Sequence, residues 1–259
     1  ERNFEGYYKA GSFPVSSLMV PLFDSFTTST VYVFERVFWW LHIIGIFFFL
    51  NYLYYSKHLH ILLAFPNTYF ANLESKGKFE ILESVRNEVL LMFYPEKASE
   101  SNGEIDKFGA SDVLDLNWVQ LMNAYSCTEC GRCTSECPAN LTGKKLSPRK
   151  IMMDTRDRLE KVSKNITINK GKFVDDGDRL LDNYISKEEL WACTSCNACV
   201  EACPINIDPL SIIMDMRQFL IMEESSAHPD LNNMMNNIEN NGAPWPYNQQ
   251  DRELWIQEA

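Results

Sequence analysis

The chain has 259 residues, enough for one large domain or two modest ones around a real core. Its formal net charge of -11 at pH 7 argues against a nucleic-acid partner, because phosphate binding needs a basic surface. All eight cysteines fall between positions 127 and 203, which suits a metal centre in a reducing compartment better than a disulfide framework. No secretory signal is legible, and the start at Glu1 suggests a fragment.

"SFPVSSLMVPLFDSF" comes first; it is apolar but interrupted by Pro14 and Pro21, so it reads as an interfacial or re-entrant segment. From Val37 to Tyr55 nineteen residues carry no formal charge, and apolar character resumes from Leu59 to Phe65. A helix crossing a hydrocarbon core needs about 20 apolar residues, so this stretch predicts a transmembrane helix over about 31–65. Glu35 and Arg36 would mark its entry and Pro66 its end. Positive charge lies mainly beyond the span, at Lys57, Lys76 and Lys78, which by the positive-inside rule turns the following part toward the cytoplasm. "FEILESVRNEVLLMF" then predicts an amphipathic helix, "EKASESNGEIDKFGAS" a polar linker, and Ser111 a cap on a helix with Val113, Leu114, Trp118, Val119, Leu121 and Met122 on its apolar side.

The remainder is a duplication. "CTECGRCTSECP" at 127–138 recurs as "CTSCNACVEACP" at 193–204. Each copy leads to a helix opened by a cap and a proline, "SPRKIMMDTR" from Ser147 and "DPLSIIMDMR" from Asp208. Ser186 and Glu189 form a capping box before the second copy. The spacing C-x2-C-x2-C-x3-C-P is an iron–sulfur signature in which three thiolates on a curled loop face one cluster and the fourth serves the other. It assigns one [4Fe-4S] cluster to Cys127, Cys130, Cys133 and Cys203, and a second to Cys193, Cys196, Cys199 and Cys137. Zinc sites favour two separated C-x2-C pairs instead. With every cysteine used as a ligand, neither cluster keeps an open iron, so both are electron carriers and the chain supplies no catalytic residue.

In one continuous helix, the 18 residues from His42 to His60 amount to about five whole turns and about 27 Å, which puts both imidazoles on one face near opposite membrane surfaces. That arrangement suits axial ligands for two stacked b-type haems, with Gly45 giving room for a macrocycle. The alternative is an ordinary helix–helix hydrogen bond for His42 and an interfacial place for His60. Four imidazoles are needed for two such haems, so the other ligands would come from helices not in this sequence. Lys57 and His58, at the expected interface, are candidates for a quinone or haem-propionate contact, and snorkelling explains them equally well.

"SKHLHILLAFPNTYF", the two cysteine motifs and "ENNGAPW" together resemble the membrane-bound heterodisulfide-reductase-like iron–sulfur proteins, most nearly the electron-transfer-flavoprotein:menaquinone oxidoreductases of the Bacteroidetes type. The resemblance implies an all-α chain in which a transmembrane helix of a cytochrome b-like, nitrate-reductase-gamma-like bundle precedes a helical dicluster ferredoxin domain. It maps haem b ligation onto His42 and His60, and implies menaquinone as substrate, electron-transfer flavoprotein or another soluble donor as partner, and an inner-membrane location. Heterodisulfide-reductase-like relatives also work on disulfides or other sulfur compounds. The family's cysteine-rich CCG domain has no counterpart here, which places it on a separate partner chain. The resulting division is a membrane region (1–66), an amphipathic helix and linker (67–110), the two-cluster domain (111–225) and a C-terminal extension that docks a partner (226–259).

Overall fold

A computed structural model describes residues 14–23, 25–75, 78–79, 81, 83–95 and 107–257. The chain divides into two units, Glu1–Leu59 and His60–Ala259. As the sequence implies, it is helical: among the described residues there is no strand, only an isolated bridge between Leu181 and Ile185.

The first unit holds α1 (Pro14–Phe23) and α2 (Thr28–Leu53). Ten residues make α1 far too short to cross a bilayer at about 1.5 Å per residue. Helix α2 has 26 residues and buries none of them within the chain. Phe38, Trp40, Phe47 and Phe48 point outward around its circumference. A helix that is apolar on every side and covered on none is a candidate membrane span, and α2 is the one such helix among the described residues.

Three expectations about this stretch need correction. The helix starts at Thr27, whose hydroxyl caps the Thr30 N–H, so Glu35 and Arg36 lie inside it. It does not run on to residue 65. The Ser56 hydroxyl donates to the Leu53 carbonyl and accepts from the His58 N–H, replacing main-chain helix bonds with side-chain ones, and the chain turns before α3 (Leu59–Tyr69) begins. His42 and His60 are therefore on different helices, and counting turns between them no longer places them on one face. Nor does Pro66 stop anything: it sits within α3, whose next turn closes through Phe70 N–H to the Pro66 carbonyl at 2.9 Å. Asn67 anchors this turn, donating from Nδ2 to the Ile205 carbonyl at 2.8 Å, and is 1% exposed. That tertiary hold offsets the hydrogen bond the proline forfeits.

In the second unit α4 (Glu83–Phe93) is shorter than the sequence suggests, with Phe79 and Ile81 before its start. Of the expected linker, residues 96–106 lie outside the described set. Ser111 is not a helix cap. Asp112 caps a short turn, Val113–Asp115, and Asn117 with Gln120 forms a capping box on α5 (Trp118–Ser126). Leu114 and Trp118 are more than half exposed, because two short helices interrupted at Leu116 and Asn117 replace the single expected stripe; Trp118 packs edge-on against Phe70 at 4.8 Å.

The core lies among the helices that follow: α6 (Arg132–Ser135), α7 (Pro138–Leu141), α8 (Pro148–Ile168), α9 (Lys187–Ala192), α10 (Ala198–Glu201) and α11 (Pro209–Met222). The caps read at Ser147, Asp208 and Ser186 are all present. Helices α8 and α11 bring Ile151, Met152, Ile212, Ile213, Met216 and Leu220 together at 0–1% exposure, each worth about 1.5–3 kcal/mol of burial. Two further helices, α12 (Pro229–Asn241) and α13 (Leu254–Gln257), complete the chain and leave Trp245, Trp255 and Ile256 exposed.

On the buried stripe of α8, at helical spacing with Ile151, Thr155 and Val162, stands Arg158, which is fully buried. Its guanidinium bonds Asp112 and Asp176, each at 2.6 Å, and the Asp178 carbonyl, tying the start of the domain to the loop after α8. The bond from Arg158 holds the Asp176 carboxyl below the ordinary carboxylate range. Arg158→Met should cost about 3–5 kcal/mol in chemical denaturation, because two carboxylates lose their partner. A depressed carboxyl stabilises the fold above its unfolded value near 4 and loses that contribution as pH falls further, so the wild type should lose stability below about pH 4 more steeply than the variant.

Candidate metal centres

Each cysteine loop hangs from the end of a short capped helix. Helix α5 ends on Cys127 as its C-cap, and α9 ends on Cys193 in the same way. Two residues on, the main chain turns left-handed at Glu129 (φ 60°) and Ser195 (φ 56°), and again at Gly131 (φ 84°) and Asn197 (φ 60°). These paired turns curl each loop so that the N–H of Glu129 points to Cys127 Sγ and the N–H of Ser195 to Cys193 Sγ, both at 3.4 Å. Donors aimed at sulfur favour thiolate over thiol. Helices α6 and α10 then carry Cys133 and Cys199, with Gly131 and Asn197 at their N-caps.

Equivalent arginines hold both curls from the following helices. Arg156 on α8 donates to Glu129 Oε1 at 2.7 Å. Arg217 on α11 donates to Ser195 Oγ at 3.3 Å and to the carbonyls of Leu190 and Cys193. The halves are also interlocked. Gln120, in the cap of α5, bonds Asp215 on α11 at 2.6 Å, while Glu189, in the cap of α9, pairs with Lys150 on α8 at 2.8 Å. Each half's leading helix is thus fastened to the other half's trailing helix. The sequence spells Asn117-x-x-Gln120 as plainly as Ser186-x-x-Glu189, so that capping box was there to be read; the left-handed residues Glu129 and Ser195 gave no comparable signal.

All eight cysteines are free of disulfides. Cys127, Cys130, Cys133 and Cys203 line one cavity of about 400 Å³, with Cys199 on its wall as well. His60, Ile61, Ala64 and Phe65 of α3 line the same cavity, so the structure sets His60 beside this cysteine group, while His42, Lys57 and His58 lie in the first unit and are exposed. In the second group, Cys137 and Cys199 are buried and Cys196 is exposed. Burial pushes the Cys193 thiol up, and Cys137 and Cys196 are close enough to add to the push. Burial, with Cys193, Asp208 and Cys133 adding to it, pushes Cys199 up to about 12.

Among the described residues, no three His, Cys, Asp or Glu side chains converge closely enough to hold a single metal ion. A cubane cluster spreads its ligands over four irons, so an all-thiol set disposed around a cavity, with N–H donors on its sulfurs, fits that cofactor. Thiols held protonated by burial must release protons when metal binds, which couples cluster assembly to pH.

Residues 126–207 match the 4Fe-4S dicluster domain family, and the chain therefore contains a domain of that class. Its homologues are iron–sulfur oxidoreductases. Over 249 residues it is 30% identical to the probable iron-sulfur-binding oxidoreductase FadF of Bacillus subtilis (strain 168), covering 85% of this chain and 33% of that protein. It is 26% identical over 269 residues to the EtfAB:quinone oxidoreductase of Syntrophomonas wolfei, covering 97% of this chain and 35% of the relative. A heterodisulfide reductase C-like protein of Archaeoglobus profundus is 26% identical over 144 residues, 56% of this chain and 63% of the relative. The chain spans about a third of the length of the first two.

The left-handed turns give a sharp test. Asn197→Val should cost about 1–2 kcal/mol of backbone strain and lower the iron bound per chain, and Asn197→Gly should lower it less. Iron and sulfide assays beside thermal melts of the three proteins read the outcome.

Proposed function

We propose that this chain is the membrane-anchored electron-transfer subunit of a quinone-linked oxidoreductase, passing electrons between a soluble flavoprotein, electron-transfer flavoprotein, and menaquinone. The observation that carries the reading is the pair of interlocked four-cysteine groups. When bound, a [4Fe-4S] cluster takes up and gives back one electron. Cys127, Cys130, Cys133 and Cys203 hold one, and Cys193, Cys196, Cys199 and Cys137 the other. The likeness to an EtfAB:quinone oxidoreductase supports the flavoprotein and the quinone as the two ends of the path. Helix α2 supports the anchor; the inner membrane rests on the resemblance, and a cytoplasmic cysteine domain on the positive charge that follows the span.

In this proposal His42 and His60 are axial ligands of haem b, completed by helices outside this sequence. The ground is the resemblance, with His60 on the wall of the first cysteine cavity. Lys57 and His58 contact the quinone or a haem propionate. A CCG-domain iron–sulfur subunit docks on the C-terminal extension, where Trp245, Trp255 and Ile256 are exposed. A second reading, favoured by the likeness to the heterodisulfide reductase C-like protein, couples disulfide or sulfur-compound chemistry on a partner to the quinone pool.

The purified intact complex should contain haem b and, besides the iron of the CCG-domain subunit, about eight cluster irons per copy of this chain. Reduced electron-transfer flavoprotein should reduce its haem, and the menaquinone pool should reoxidise it. Reduction by a thiol substrate and not by the flavoprotein would decide for the second reading. His42→Ala and His60→Ala should each lower the reduced-haem absorbance; unchanged haem in both variants would remove these residues as ligands.

A further inference from the structure

The two cysteine groups are equivalent in fold but not in charge. Several factors that set a cluster's potential cancel between them. Each has one N–H bond of 3.4 Å to the sulfur of its first cysteine and one exposed cysteine, Cys130 or Cys196. The charged neighbours differ. Arg132 and Arg149 line the first cavity, and no Asp or Glu is among its lining residues. The guanidinium of Arg149 lies over the loop itself: a Cβ placed on Gly131 would be 3.9 Å from its Nη1. At the equivalent places the second repeat has Ala198 and Leu210, both uncharged. Where the first repeat caps its trailing helix with neutral Ser147, the second uses Asp208, which lines one pocket with Asn197 and Val200 on either side of Cys199.

Reduction adds negative charge to a cluster, so cations nearby favour it, while anions and burial oppose it. Two ligands of the second group, Cys137 and Cys199, are buried, and none of the first group is. One feature works in the opposite sense. Arg156 is neutralised by Glu129, whereas Arg217 meets the uncharged Ser195 and main-chain carbonyls at the same place. Against this single cation stand Asp208, the deeper burial, and two arginines on the first group.

We propose that the cluster on Cys127, Cys130, Cys133 and Cys203 has the higher reduction potential of the two, and that Arg132 and Arg149 put it there. Electrons arriving on the second cluster then settle on the one that α3 and His60 adjoin, the side of the domain joined in sequence to the candidate span. The inference rests on the two-cluster reading of the preceding section.

The test is a mediated redox titration of the purified holo-complex followed by electron paramagnetic resonance of the reduced clusters. The wild type should titrate as two separate one-electron centres. Arg132→Ala with Arg149→Leu, the residues of the second repeat, should lower only the upper potential, by about tenfold in the reduced-to-oxidised ratio at a fixed potential, or about 59 mV. Asp208→Ser should raise only the lower one. If the double arginine variant moves the lower potential, or neither, the proposed order is overturned; coincident wild-type potentials would overturn it too. Failure of the two-cluster reading itself appears separately, as iron well below about eight per chain after haem and partner-cluster iron are subtracted, whatever the potentials.

Discussion

Two main-chain reversals, each tied down from across the domain, carry everything else in the cysteine region. A loop that turns three thiols toward one cavity must pass through left-handed backbone twice within five residues, and only one of the four positions involved is a glycine. Glu129, Ser195 and Asn197 occupy conformations that side chains ordinarily avoid. Their cost is met by contacts brought in from other helices: Arg156 on Glu129, and Arg217 on Ser195 and the Cys193 carbonyl. Those arginines are in place because α8 and α11 are packed through fully buried aliphatic side chains. Core packing therefore acts on the thiols at one remove, by fixing the two cations that hold the loops curled.

What the sequence discloses is what depends on neighbours along the chain. The proline-opened helices at Ser147 and Asp208 and the Ser186–Glu189 box are local, and each stands as read. What it conceals depends on distant residues or on competition. Pro66 looks like a stop until Asn67 is seen fastened to Ile205, 138 residues away. Ser56 passes for one more polar residue at the end of an apolar run, yet its N–H and hydroxyl both bond the Leu53 carbonyl and its hydroxyl takes the His58 N–H, where the helix ends. Arg158 sits at a core position where a periodicity count registers only a misplaced cation; its two aspartates come from 46 positions before and 18 after.

The histidines illustrate the same division. Counting turns from His42 to His60 assumed an unbroken helix, and the hydroxyl of Ser56 removes that assumption. The structure supplies a different neighbourhood for His60, beside cysteines that no periodicity could have associated with it. His60 thus lies against the first cysteine group although helical phase no longer singles it out.

The fastening of Gln120 to Asp215 and of Glu189 to Lys150 bears on ancestry as well as on stability. Either half alone would keep its own capping box and its own arginine on the loop, but its leading helix would lose the tie to a trailing helix. A single-copy ancestor would have had to associate with its own twin to satisfy these bonds. Fusion of two such copies would make permanent, within one chain, ties that separate copies could form only by pairing.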